Sequence, residues 1–195
     1  MTAEFIIEQQ EIIFQSYLRI DRYRWRIALF EGGWSQPLER ELFVRGAAVA
    51  VLPYDVVRDE VVLIEQMRIG AVANGWNPLM LECVAGMVEE GETTSDVAQR
   101  ETMEECGCKI ESLHKISEYL ASPGCSSEVF TVYCGLVDSS RAGGIYGIAE
   151  EGENIRVVRY KTEEALALLD NNRINNAMTI IALSWLARNK EKLVK

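Results

Sequence analysis

The sequence contains very little histidine and few cysteines. His114 is the single histidine, and none of the five cysteines form a C-x-x-C pair. One histidine with scattered thiols cannot complete the usual four-ligand zinc site. An odd number of cysteines without paired spacing also argues against a disulfide framework and favours reduced thiols in the cytoplasm. The cysteines are Cys83, Cys106, Cys108, Cys125 and Cys134.

Basic residues and long apolar runs are scarce as well. Lysine and arginine total 20 against 30 aspartates and glutamates, for a net charge of −10. This balance argues against nucleic-acid and membrane-surface partners, because both present phosphate. No apolar run approaches the ~18 residues of a spanning helix, and no basic stretch followed by an apolar core marks a signal peptide. An acidic chain can still bind a polyphosphate if metal ions and a few arginines reverse the local field.

Hydrophobic patterning predicts an α/β fold with a mixed β-sheet sandwiched between helices. Partial alternation over residues 5–43 predicts a small N-terminal antiparallel β extension, and we divide the chain into 1–45 and 46–195 on this basis. Continuous apolar runs further on predict strands that are covered on both faces. These strands are predicted over 47–52, 61–64, 79–84, 113–120, 129–137 and 155–160, with a turn at 53–55 and a break at Gly86. Helices are predicted over 93–106, 162–169 and 175–193.

The helix predicted over 93–106 is unusually acidic. Thr93 and Asp96 form a capping-box pattern, and Gly107 is a natural helix stop. Glu104 and Glu105 follow Glu101 by three and four residues, so each shares a helix face with Glu101, and the like charges repel by a few tenths of a kcal/mol per pair. A hard divalent cation such as Mg²⁺ relieves this repulsion. A solvated acidic face is the alternative interpretation, and the glutamates alone do not exclude it.

The full spacing of this segment decides between the two interpretations. It reads G-x5-E-x7-R-E-x-x-E-E-x-G and therefore resembles the Nudix box, the signature of Nudix hydrolases. The matching residues are Gly86, Glu92, Arg100, Glu101, Glu104, Glu105 and Gly107. Similarity extends over 47–69, 81–107, 119–124 and 151–157 to the bacterial ADP-ribose pyrophosphatase branch, in which a proline past the box marks sugar-nucleotide preference. Pro123 matches that proline.

The resemblance implies a metal site. The main-chain carbonyl of Ala85 would bind Mg²⁺, or Mn²⁺ as a substitute, together with Glu101 and Glu105. Glu151 and Glu153 match loop acids that complete such sites; we expect Glu151 to be the general base and Glu153 an additional metal ligand. A plain acidic surface loop is the alternative. With only one histidine in the chain, a carboxylate base is the expected choice.

The resemblance also implies substrate contacts. Arg40 and Arg68 match arginines that grip the substrate, and guanidinium groups suit phosphate oxygens. Tyr17 matches a position that stacks on adenine, and Glu82 is expected to help position adenosine or ribose groups. Residues 1–45 would serve dimerisation and substrate binding, and residues 46–195 would form the Nudix hydrolase domain.

The implied function is Mg²⁺-dependent hydrolysis of ADP-ribose to AMP and ribose 5-phosphate by a cytoplasmic homodimer. The alternatives are another nucleoside diphosphate sugar, such as GDP-mannose, or a dinucleoside polyphosphate. A Nudix domain that only senses ADP-ribose typically loses box acids and gains a DNA-binding module, and neither applies to this sequence. An enzyme that cleanses 8-oxo-dGTP would be shorter and would lack the β extension.

Overall fold

The computed structural model describes residues 4–148 and 152–193. The chain forms two compact units, one of residues 1–47 with 120–129 and one of residues 48–119 with 130–195. The domain boundary predicted between residues 45 and 46 remains a prediction.

The first unit contains a three-stranded antiparallel sheet of β1 (Phe5–Gln15), β2 (Arg19–Ile27) and β3 (Leu38–Val44), in that order. This confirms the predicted N-terminal extension. Alternation along the strands gives the sheet one charged face, on which Arg24 and Arg26 both pair with Glu8. All 11 residues of β1 are exposed.

The second unit is built on a mixed eight-stranded sheet. Its main order is β10-β11-β5-β4-β9-β8, while β6 pairs with β5 and β7 with β4. The strands are β4 (Ala47–Asp55), β5 (Glu60–Met67), β6 (Leu79–Glu82), β7 (Val84–Met87), β8 (Ser112–Leu120), β9 (Val129–Leu136), β10 (Gly144–Tyr146) and β11 (Ile155–Lys161). The helices are α1 (Ile69–Ala73), α2 (Thr94–Cys106), α3 (Thr162–Asp170) and α4 (Ala177–Leu193), and residues 139–141 form a short 3-10 turn.

The sheet has a helical layer on each face, as predicted. On one face, Leu63 and its neighbours pack against α3 and α4 through residues such as Leu183. On the other face, Val62 and Ile64 pack against α2 through Val97. These side chains are almost completely buried, and each contributes roughly 1.5–3 kcal/mol of hydrophobic free energy relative to an exposed position.

Three details differ from the sequence prediction. β4 continues through residues 53–55, and the turn comes later because the carboxylate of Asp55 accepts the N–H groups of Val57 and Arg58, at 2.9 Å each. Gly86 lies inside β7, and the break falls at Cys83, whose N–H donates instead to the side chain of Thr179 at 2.8 Å. The short elements α1 and β10 were not predicted, because five and three residues are too few for a periodic pattern.

The cysteines carry no disulfide: all are free thiols, and only Cys125 is exposed. Burial raises the pKa of Cys83 and Cys134 to about 12, so both thiols stay protonated and unreactive at neutral pH. Over the described part of the chain, every helix is too short or too polar to cross a membrane.

Candidate active site

The acidic helix α2 has the predicted ends. The hydroxyl of Thr93 accepts the N–H of Asp96 at 3.2 Å, and the Asp96 carboxylate accepts the N–H of Thr93 at 3.1 Å. At the other end, Gly107 takes the left-handed conformation with φ 66°. The helix thus starts and stops at defined residues, which sets the direction of each glutamate along it.

Arg100 connects this helix to the loop before it. Its Nε and Nη2 donate to the two carboxylate oxygens of Glu92, at 3.0 and 3.1 Å, and its Nη1 donates to Glu101 at 2.7 Å. The two-pronged pair is therefore with Glu92, which precedes the helix, and not with a helix glutamate. This arrangement orients Glu101 while holding the loop against α2.

Glu105 is buried, with 5% of its surface exposed. One carboxylate oxygen accepts the N–H of Ala85 on β7 at 3.1 Å. The pKa of Glu105 is raised to about 8, chiefly by burial and also by the negative charges of Glu101 and Glu153, although the Ala85 hydrogen bond and the charge of Arg68 oppose the shift. The positive charge near an ionised Glu105 carboxylate does not fully compensate for its burial and for the neighbouring negative charges. A bound divalent cation would supply the missing positive charge.

Glu101 occupies space that Gly86 leaves open. A Cβ atom on Gly86 would lie only 1.8 Å from Oε1 of Glu101. The backbone of Gly86 is ordinary β-strand, so room for the glutamate, rather than a special backbone angle, requires glycine here. Burial also raises the pKa of Glu101, although Arg100 opposes the shift.

A third carboxylate approaches from the segment before β11. The charge of Glu153 contributes to the raised pKa of both Glu101 and Glu105, so it lies within electrostatic range of the pair. We call Glu101, Glu105 and Glu153 the acid cluster. Glu151, predicted as the general base, lies outside the described residues.

Arg68 and Glu82 are bonded to each other. The Nε of Arg68 donates to the buried carboxylate of Glu82 at 2.7 Å. Arg68 also lowers the pKa of Glu105 by its charge, which places the guanidinium near the acid cluster. From the sequence, each of these residues was expected to contact the substrate separately. The ion pair was not expected, because it depends on the register of β5 against β6.

The first unit contains a cavity of about 360 Å³. Arg40 and Pro123 both line it, and aromatic walls come from Phe5, Tyr23 and Trp25. A flat heteroaromatic ring can pack against these aromatic side chains. The guanidinium of Arg40 can stack on the face of that ring or bind a phosphate group of the same ligand. Tyr17 is 92% exposed in the turn between β1 and β2 and does not line this cavity.

The acid cluster fits a hard divalent cation by its chemistry. Its donors are carboxylate oxygens, and Gly86 provides a cradle for one of them. Within residues 4–148 and 152–193, no three acidic, histidine or cysteine side chains already converge as a finished metal site. Further ligands would come from main-chain carbonyls, water and substrate oxygens, as is common for Mg²⁺.

Comparison with known proteins agrees with this geometry. The family model described as the NUDIX domain matches residues 44–179, which include the acidic helix and all three members of the acid cluster. The chain belongs to the Nudix family. This assignment makes it a Nudix hydrolase and identifies α2 as the Nudix helix, as the spacing of the box predicted.

Individual relatives cover nearly the full length of this Nudix chain. The ADP-ribose pyrophosphatase of Escherichia coli (strain K12) is 44% identical over 184 residues, which are 94% of this chain and 88% of the relative. The GDP-mannose pyrophosphatase of Yersinia pestis (strain Pestoides F) is 30% identical over 179 residues, covering 91% and 88%. The solved structure of an ADP compounds hydrolase matches with a TM-score of 0.74 at 20% identity, covering 98% and 97% of the two chains, which supports the fold.

Proposed function

We propose that this Nudix hydrolase cleaves the pyrophosphate bond of ADP-ribose and releases AMP and ribose 5-phosphate. The observation that carries the proposal is the acid cluster, in which the half-buried Glu101 and the buried Glu105 both have raised pKa values and Glu153 lies in electrostatic range. The 44% identity to an ADP-ribose pyrophosphatase over 94% of the chain supports the choice of substrate.

The metal proposed for the cluster is Mg²⁺, with Mn²⁺ as a substitute. Glu101, Glu105 and the main-chain carbonyl of Ala85 would hold it, and Glu153 would add a ligand. When bound, the metal neutralises charge on the phosphoryl oxygens and polarises water. Glu151 accepts the proton of the attacking water; the water oxygen forms one P–O bond as the bridging P–O bond breaks. The two products are thus phosphate monoesters.

Candidate substrate-binding groups are proposed for each unit by itself. In the second unit, Arg68 binds pyrophosphate oxygens, and its bond to the buried Glu82 orients it. Glu82 then acts through Arg68 in addition to any contact with ribose. In the first unit, the cavity lined by Arg40 and Pro123 takes the adenine ring. Tyr17 is free to stack on a ligand because its side chain is exposed.

The second candidate is another nucleoside diphosphate sugar, with GDP-mannose the specific case. The 30% identity to a GDP-mannose pyrophosphatase favours it over a dinucleoside polyphosphate. Adenine and guanine differ in few hydrogen-bonding groups, so a small number of contacts in the base site decides between them.

We also propose a homodimer and a cytoplasmic location. Strand β1 exposes several large apolar side chains, including Phe5 and Phe14, and such a surface is usually covered by a partner. Free thiols throughout the chain suit a reducing compartment.

A product assay tests the substrate. Purified protein is incubated with ADP-ribose, GDP-mannose, a diadenosine polyphosphate or dATP, with Mg²⁺ or Mn²⁺, and products are separated by chromatography. We expect AMP and ribose 5-phosphate from ADP-ribose, with at least about tenfold lower kcat/KM for the others. Faster cleavage of GDP-mannose would overturn the ADP-ribose assignment.

The same assay tests the metal site. Glu105→Gln keeps the size of the side chain and its bond to Ala85, but removes the charge; we expect kcat to fall at least about a hundredfold, since a metal ligand supplies several kcal/mol. Glu163→Gln, on the exposed start of α3, is the control and should retain full activity. Near-normal turnover by Glu105→Gln at saturating Mg²⁺ would contradict the assignment.

A further inference from the structure

Hydrogen bonds hold Glu153 beside the hairpin of β10 and β11. Tyr146 and Ile155 are paired across the hairpin. Beyond this pair, the N–H of Glu153 donates to the carbonyl of Ile148 at 3.1 Å, and the N–H of Ile148 donates to Oε2 of Glu153 at 3.1 Å. These two reciprocal hydrogen bonds hold both the main chain and the carboxylate of Glu153 against the end of β10.

Gly147 makes this close approach possible. A Cβ atom here would lie 2.7 Å from Cβ of Glu153 and 3.1 Å from its carbonyl carbon. Gly147 also has φ +100°, a conformation that L side chains rarely adopt. Any side chain at this position would push the segment that carries Glu153 away from the hairpin.

Tyr146 joins the hairpin to the Nudix helix. Its ring lies over Gly107, where a Cβ atom would be 2.6 Å from the tyrosine hydroxyl. The same ring packs against the buried cluster that contains Val97 and Cys106, both on the Nudix helix. The final glycine of the Nudix box thus ends the helix and also provides the surface on which Tyr146 sits.

We propose that Tyr146 is a positioning residue that sets the distance of Glu153 from Glu101 and Glu105. The negative charges of the three carboxylates repel one another, and this repulsion favours separation of Glu153 from Glu101 and Glu105 when no metal is bound. The contact of Tyr146 with Gly107, together with the Ile148 bonds, resists this opening and keeps Glu153 in place for a divalent cation. The link to catalysis rests on the proposed function, whereas the link to metal binding does not.

The first test measures metal binding without substrate. Isothermal titration of the wild-type protein with Mn²⁺ is compared with Tyr146→Ala, Tyr146→Phe and the control Ile145→Ala, a neighbouring residue of β10 that is 66% exposed. We expect the Kd of Tyr146→Ala to rise roughly tenfold, as for loss of an orienting group around a metal. Tyr146→Phe and Ile145→Ala should stay within about twofold, because phenylalanine keeps the ring that packs against the buried cluster and over Gly107 and loses only the hydroxyl, while Ile145 is exposed.

The second test asks whether Tyr146 acts through Glu153. In a double-mutant cycle, Glu153→Gln and Tyr146→Ala are measured singly and together for Mn²⁺ affinity and for kcat. If Tyr146 only positions Glu153, adding Tyr146→Ala to Glu153→Gln should change either quantity by less than about twofold. Tyr146→Leu, which retains apolar bulk but not the reach of the ring, repeats the measurement if Tyr146→Ala unfolds below the assay temperature.

Two results would overturn the proposal. One is Mn²⁺ affinity in Tyr146→Ala equal to that of the wild type. The other is a double variant whose Mn²⁺ affinity falls by the product of the two single-variant losses, which would mean that Tyr146 and Glu153 act independently. If the wild type binds Mn²⁺ but does not cleave ADP-ribose, the proposed substrate is wrong, while the Mn²⁺ cycle still decides the role of Tyr146.

Discussion

The glycines of the Nudix box are required for different physical reasons at different positions. Gly107 has φ 66°, which a residue with a side chain adopts only at a cost, and so it ends the helix. Gly86 has a regular strand conformation, and its missing side chain leaves room for Glu101. The motif shows glycine at both positions, but only the contacts around each residue distinguish backbone freedom from space.

Substitution of Gly86 tests this difference at the residue scale. In Gly86→Ala the new methyl group collides with the carboxylate of Glu101, which can move because it is the end of a flexible side chain. We therefore expect the fold to survive and Mn²⁺ affinity to fall about tenfold or more, since a displaced ligand cannot bind at full strength. Calorimetric titration with Mn²⁺ measures the effect, and thermal unfolding monitors the fold.

Gly70→Ala is the matched control for this experiment. Nothing lies within 4 Å of a Cβ at Gly70, and its backbone is helical, so the added methyl should leave metal affinity unchanged. An unchanged Kd in Gly86→Ala would show that Glu101 does not depend on the space beside it.

At the scale of elements, the turn between β4 and β5 depends on one buried carboxylate. Burial alone would raise the pKa of Asp55, but N–H groups of Ser139 and Arg58, with the Arg58 and Ser139 side chains, lower it to about 2. Since the pKa in the folded state is below the unfolded value of 3.8, ionised Asp55 stabilises the fold above about pH 4. That stabilisation is lost as the pH falls towards about 2.

Asp55→Asn should remove this pH dependence. We expect the variant to be less stable than the wild type at pH 6, by about 1–3 kcal/mol for a buried carboxylate that binds several donors. The difference should shrink from pH 4 towards pH 2 because the wild-type carboxyl becomes protonated there. Urea unfolding at several pH values measures it, with the exposed Asp170→Asn as control. A difference that stays constant between pH 6 and pH 2 would contradict the role given to this charge.

At the scale of the whole molecule, the exposed apolar surface of β1 is the feature that a single chain does not explain. Its apolar residues are about half exposed, among them Ile7 at 50%, Ile12 at 52% and Phe14 at 50%. Exposed apolar surface of this extent along one strand is typical of an interface, and association of identical chains usually gives a closed dimer.

Replacing β1 residues tests the proposed dimer. The double variant Ile12→Ser with Phe14→Ser should elute as a single chain, while the wild type should have twice that mass by light scattering after size exclusion. Val57→Ser removes an apolar side chain that is 91% exposed in the second unit and should leave the wild-type mass unchanged. A wild type that is monomeric at all concentrations, or a β1 variant that remains dimeric, would refute the proposal.

The Nudix helix is the part of the protein that the sequence determines most completely. Its capping box, its glycine stop and its rows of glutamates all depend on neighbours three or four residues apart, so a local pattern contains the information. The acidic box, the family it indicates and the layered α/β fold follow from that pattern and from the apolar runs of the central strands. These were all confirmed.

Only the tertiary structure decided how the site residues relate to one another. Four features of the site depend on residues that are distant along the chain. They are the burial of Glu105, the space that Gly86 leaves for Glu101, the Arg68–Glu82 pair and the approach of Glu153. Strand register and helix packing bring them together, and a sequence pattern contains no direct record of either. The helix thus follows from local hydrogen bonding, whereas the electrostatics of its glutamates follow from what the sheet and the β10–β11 hairpin place against it.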